Sequence, residues 1–188
     1  MTSRAQDDKK DFDSIFDIET AKDILDRIIG FITNCDTKAS IMIGFFGVVF
    51  TIFFTSKGIA EFNEIINLAK VDLTPLTKLF FLFVFIAIII FAFGILNLIL
   101  VLHAKVQKSG KDSLIFFTDI SCNKTCENYL SKLNSADNKK LINDYISQIY
   151  INSKICQRKY SLYNKGLCFS LLGFVIFIVL FFIGILIY

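Results

Sequence analysis

The sequence predicts an all-α membrane protein: three transmembrane helices with a cytoplasmic helical bundle formed by the N-terminal arm and the long loop between spans two and three. Three observations predict it. Long uncharged apolar runs follow Lys38, Lys78 and Lys165, and the chain is 54% hydrophobic with 22 Phe and one Pro, far more apolar than a soluble domain of this size needs. The arm and the loop repeat their apolar residues at helical spacing. Lys and Arg are shared unevenly among the segments that the spans separate, which sets their orientation across a bilayer.

Residues 1–38 form the amphipathic arm. They are polar as far as Asp11, and too long and too acidic to read as the n-region of a signal peptide. From Ile15 a helical pattern begins. Ala21, Ile24, Leu25, Ile28, Ile29 and Ile32 share one face, with Lys22, Asp23, Asp26 and Arg27 off that stripe. Gly30 weakens this helix without stopping it, and no Pro separates the arm from the first span. One helix is therefore expected over about 14–54. Its apolar stripe suits packing against the other long cytoplasmic helix, because its acidic face is repelled by anionic lipid.

The first span covers residues 39–55, close to the shortest stretch that crosses a bilayer. Gly44 and Gly47 are candidates for close helix contact, although three apart is not the small-xxx-small spacing. Residues 56–78 are an external connection, in which Ile59, Phe62, Ile65, Ile66 and Leu68 suit a short interfacial helix and Pro75 breaks the chain before the second span. That span covers 79–102. Its strongly polar residue, Asn97, either bonds across helices or lies near the interface.

Residues 103–166 form the cytoplasmic helical loop. Within it, Ser113 to Phe117 reads as a short extended or turn element, and Thr125 to Leu133 as a short helix. Asn138 reads as an N-cap for a helix from Lys139 that carries Leu141, Ile142, Tyr145, Ile146, Ile149, Ile155 and Cys156 mostly on one face. Gly166 alone need not end it, and the third span covers 167–188. The arm holds 6 Lys and Arg, the external connection 3 and the loop 11, with 9, 3 and 5 acidic residues respectively. The arm and the loop are therefore expected in the cytoplasm.

No catalytic constellation is visible. There is no Ser/His/Asp set, P-loop or Gly-rich dinucleotide turn, and the one His, His103, cannot hold a metal alone. Cys122 and Cys126 are four apart with no second half-site, so the five Cys read as ordinary thiols. The sequence thus reads as a non-enzyme with no metal and no cofactor. What remains is a basic cluster near the membrane: Lys154, Arg158, Lys159 and Lys165 toward the end of the last helix, interleaved with Tyr160 and Tyr163, and Lys38 at matching depth on the first. Cations beside aromatic faces suit a phosphate plus a base. The same cluster also reads as positive-inside anchoring with Lys and Tyr at headgroup level. Lys38, Arg158, Lys159 and Tyr160 are the candidate ligand-binding residues. Asp36 with Lys38 reads as a pair at the membrane joint.

Three motifs in order carry a resemblance to a known family. Asp36-Thr37-Lys38-Ala39-Ser40 at the first span resembles the D-x-K-A-S signature of the Pycsar transmembrane effectors. Phe116-Phe117-Thr118-Asp119-Ile120 is similar to their F-F-x-D-I element, and Gln148, Ile155 and Lys159-Tyr160 to their Q-x(6)-I-x(3)-K-Y helix. The resemblance implies a bacterial anti-phage effector in the inner (cell) membrane, multi-pass with a cytoplasmic N-terminus. It implies activation by a cyclic pyrimidine nucleotide, cyclic UMP or cyclic CMP, made by a partner pyrimidine nucleotide cyclase. It also implies impairment of the membrane, so that the cell dies before the phage matures. The loop is too short for a cyclic-nucleotide-binding β-roll, so a nucleotide would meet a helical site, with a homo-oligomer expected. Two alternatives stay open: a ligand-independent membrane scaffold protein, and a related SLATT-type two-span effector answering another nucleotide signal.

Overall fold

A computed structural model of the chain describes residues 17–55, 60, 63, 64, 66, 67, 74–103 and 113–187. Among the described residues the architecture is all helical, in the order α1 (Ile18–Thr55), α2 (Pro75–Leu102), α3 (Phe117–Ser121), α4 (Cys126–Asn134) and α5 (Asn138–Ile187). Three of these, α1, α2 and α5, are long and apolar enough to cross a membrane. At 38 and 50 residues, α1 and α5 run for about 57 and about 75 Å at 1.5 Å per residue. Most of the expected interfacial helix, including Ile59, Phe62, Ile65 and Leu68, lies outside the described residues.

Capping chemistry moves the helix boundaries from where periodicity places them. The stretch from Ser14 to Phe16 is outside the described residues, and α1 starts at Ile18 because Asp17 caps it. Asp17 Oδ1 accepts the Thr20 N–H at 2.7 Å, satisfying one of the orphan donors of the first turn. The Thr20 backbone N–H holds the Asp17 carboxyl below its usual range. Pro75 does not break the chain ahead of α2; it begins the helix. Thr74 is the N-cap, its hydroxyl accepting the Thr77 N–H at 3.4 Å, and Pro tolerates the first helical position because no N–H is needed there. The helix thus starts four residues before the expected span. Asn138 is likewise the first residue of α5, not its cap: the Asp137 carbonyl accepts the N–H groups of Lys140 at 2.9 Å and Leu141 at 3.2 Å. Downstream, α5 passes through Gly166 without interruption.

The chain divides into two compact units, Met1–Thr33 with Lys105–Arg158, and Asn34–Ala104 with Lys159–Tyr188. In the first unit the α1 stripe is inward: Ala21 is fully buried and Ile24, Leu25, Ile28 and Ile32 are half-buried, while Ile29 is exposed, against expectation. The non-helical segment 113–116 has no ladder to satisfy its backbone, so side chains do so. Asp144 Oδ2 accepts the Leu114 N–H at 2.7 Å and the Ser113 hydroxyl at 2.9 Å. Asp119 Oδ2 accepts the Ser113 N–H at 3.2 Å, and Tyr129 donates to the Leu114 carbonyl at 2.7 Å.

In the second unit the core is Cys35, Ala39, Phe46, Leu98 and Val101. Phe46 meets Phe91 and Phe174 edge-on, with ring centroids 5.2 and 5.8 Å apart, the arrangement favoured by the ring quadrupole. α2 and α5 approach backbone to backbone. A Cβ on Gly94 would lie 2.2 Å from the Ser170 backbone nitrogen, and one on Gly173 would lie 2.4 Å from that of Phe91. The expected contact glycines, Gly44 and Gly47, have nothing within 4 Å of a Cβ. Asn97 is buried and donates to the Phe93 carbonyl of its own helix at 2.8 Å, so one N–H of its amide is spent locally. The outward faces of the long helices carry Phe45, Val48, Ile52, Phe85, Ile89, Val175 and Phe182, all exposed, which is stable in lipid and not in water.

Candidate functional site

The first motif occupies α1 where it enters the second unit, and its residues have separate jobs. Asp36 faces Lys159 on α5, with the ammonium nitrogen 2.5 Å from Oδ1. The Lys159 side chain is 11% exposed and that of Asp36 36%, so one end of the pair is desolvated and the other reaches water. Ala39 is fully buried in the core cluster, against which Tyr160, Leu162 and Tyr163 also pack. Lys38 and Ser40 point to the exposed side of the helix.

The pairing differs from the one the local sequence suggests. Asp36 and Lys38 are two apart and cannot face each other on a helix. Asp36 is instead joined to a residue 123 positions away. Of the four candidate ligand-binding residues, Lys159 and Tyr160 are therefore held in or against the core, Lys159 by its carboxylate, while Lys38 and Arg158 are exposed. The one cation over an aromatic ring is Lys154, 4.4 Å from the centroid of Tyr150, among the described residues.

The other two motifs lie in the first unit. Phe116 is half-buried, Phe117 is 62% exposed, and Asp119 anchors the Ser113 backbone. Gln148 is 3% exposed, and its Nε2 has no hydrogen-bond partner among the described residues; the Thr118 hydroxyl is in the same condition. Asp144, which holds the 113–116 segment, lies one turn before Gln148 on α5. Neither it nor Thr118 has a local sequence pattern that marks it. The close-packing residues did have one: Gly166 and Ser170 stand at the small-xxx-small spacing, and a Cβ on Gly166 would lie 2.8 Å from Leu98 Cγ.

The family described as the Pycsar effector protein domain matches residues 20–186, a range that includes all three motifs. The Pycsar effector protein GmPycTM of Gulbenkiania mobilis is 35% identical over 178 residues, covering 86% of this chain and 90% of that one. No solved structure matches. With three helices able to cross a membrane, the chain is a multi-pass membrane protein, and it belongs to the Pycsar effector family, the transmembrane effectors of anti-phage defence.

Proposed function

We propose that the protein is activated by a cyclic pyrimidine nucleotide from a partner cyclase and then impairs the bacterial inner membrane, causing abortive infection. The observation that carries this reading is the family match over residues 20–186. Two features of the chain support it. The first is that α1 and α5 each contribute to both compact units. A ligand that biases helix packing in the first unit acts on helices that also belong to the second, provided it binds the two arrangements unequally. The second is the 6, 3 and 11 distribution of Lys and Arg, which supports a cytoplasmic N-terminus and 103–166 loop, on the side where a nucleotide is made.

The lesion is proposed to arise by assembly. The runs 39–55, 79–102 and 167–188, proposed as the spans, contain no charged side chain, so no ion pathway lined by charges is built into them. The face of α1 that carries Ser40, Gly44, Gly47 and Thr51 is exposed. These small residues recur at spacings of four, three and four, the register in which a second helix packs closely in lipid. Lys38 and Arg158 are each accessible to an anionic ligand, whereas Lys159 is committed to Asp36.

The test is expression in bacteria beside an active or a catalytically dead pyrimidine nucleotide cyclase, with a potential-sensitive dye as readout. Membrane potential is expected to collapse only with the active cyclase. An unchanged potential in cells that accumulate the nucleotide contradicts the proposal.

A further inference from the structure

We propose that two unpaired polar groups of the first unit, the Gln148 amide and the Thr118 hydroxyl, together receive the pyrimidine base of the messenger, an inference that rests on the function proposed above. Buried polar groups in folded proteins are nearly always paired, so each orphan calls for a physical account. Here there are two in one unit: the Gln148 Nε2 group, on a residue 3% exposed, and the Thr118 hydroxyl. Both adjoin one network. Gln148 lies one helical turn after Asp144, on the same side of α5, and Asp144 Oδ2 accepts from Ser113 and Leu114. Thr118 is next to Asp119, which accepts from the Ser113 backbone. One oxygen of each carboxylate is engaged within the chain, while the amide donor and the hydroxyl have no partner among the described residues.

The chemistry of the missing group follows. It must present an acceptor to the Gln148 amide. It must also be uncharged, because the charged side chains of the network, Asp119 and Asp144, are both carboxylates, and an anion among them is repelled. A phosphate does not meet these requirements; the carbonyl edge of a pyrimidine base does. Binding the base here leaves the phosphate to cations elsewhere. No residue of the five-residue α3 is buried as a whole, so a shift of this helix that admits a flat ring and keeps the Thr118 hydroxyl facing it sacrifices little packing. The segment it belongs to is pinned by Asp144, on α5. Ligand entry therefore perturbs contacts of a helix that continues to Ile187.

The experiment is equilibrium binding of labelled cyclic UMP and cyclic CMP to the full-length protein in detergent, wild type beside Gln148→Met and Thr118→Val, with inorganic phosphate as competitor. Each substitution is expected to weaken binding roughly tenfold or more, the scale for losing a buried hydrogen bond. Phosphate is expected not to compete. The ligand-free variants are expected to unfold at the same temperature as wild type or higher, since apolar atoms replace an unpaired buried donor. Variants that bind like wild type overturn the inference and leave the messenger reading standing. So does a lowered unfolding temperature with affinity intact, which would mean the amide holds a structural water. Wild type that binds neither nucleotide overturns the messenger reading, and this inference with it.

Discussion

Replacing Asp36 with Leu is expected to destabilise the protein by about 3–5 kcal/mol, the scale for stranding a buried charge, whereas Lys159→Met costs about 1 kcal/mol, the scale of one hydrogen bond. The asymmetry comes from solvation. The Lys159 side chain is 11% exposed and that of Asp36 36%. Without Asp36 the ammonium has no carboxylate and little water. Without the ammonium the carboxylate turns to solvent, and Met keeps the apolar stem packed. The double variant is expected to recover most of the loss, because replacing both members of such a pair by apolar residues is close to neutral. Unfolding in mixed micelles with increasing SDS measures all three. Equal losses for the two single variants would show that the pair is solvated at both ends. A double variant as unstable as Asp36→Leu would show that the carboxylate has another structural partner.

Gly94→Ala carries the second large effect, about 3 kcal/mol, the upper end for overpacking. A Cβ at Gly94 would meet the Ser170 nitrogen at 2.2 Å, its Cα at 2.6 Å and the Phe169 carbonyl carbon at 2.8 Å. These are backbone atoms and cannot rotate away, so α2 and α5 must separate. Gly173→Ala is expected to behave alike, with Phe91 nitrogen at 2.4 Å and Phe91 Cα at 2.7 Å. Gly44→Ala and Gly47→Ala are the controls: nothing lies within 4 Å of either Cβ, and Ala favours a helix interior over Gly by about 1 kcal/mol. The same unfolding assay separates the two pairs. No loss of stability in Gly94→Ala contradicts the packing described, as does a loss in the controls when the protein is monomeric in the micelle.

The long helices were legible because lipid-spanning and amphipathic helices write their period into the sequence. The apolar runs after Lys38, Lys78 and Lys165 and the Ala21-to-Ile32 stripe follow directly from that physics. Helix ends were less legible, since they depend on single positions: Asp17 and Thr74 with Pro75 each shifted a boundary by about four residues, and the helix after Asp137 starts one residue early. The site was legible as motifs but not as contacts. Local sequence pairs Asp36 with Lys38, yet residues two apart on a helix do not meet, and its partner Lys159 is 123 residues away. The Asp144 anchor bridges 30 residues to Leu114, and no local pattern announces such a bond. Position within the first span points to Gly44 and Gly47, whereas close approach occurs where Gly166 and Ser170 keep the four-residue spacing.

The most direct test of messenger-activated membrane impairment uses the purified full-length protein in liposomes loaded with a self-quenching dye. Cyclic UMP, cyclic CMP or cyclic AMP is added to the side that exposes the loop 103–166. Dye release with a cyclic pyrimidine nucleotide and not with cyclic AMP is the predicted result. Liposomes that stay sealed with both pyrimidine nucleotides, or that leak equally without any, would contradict the account.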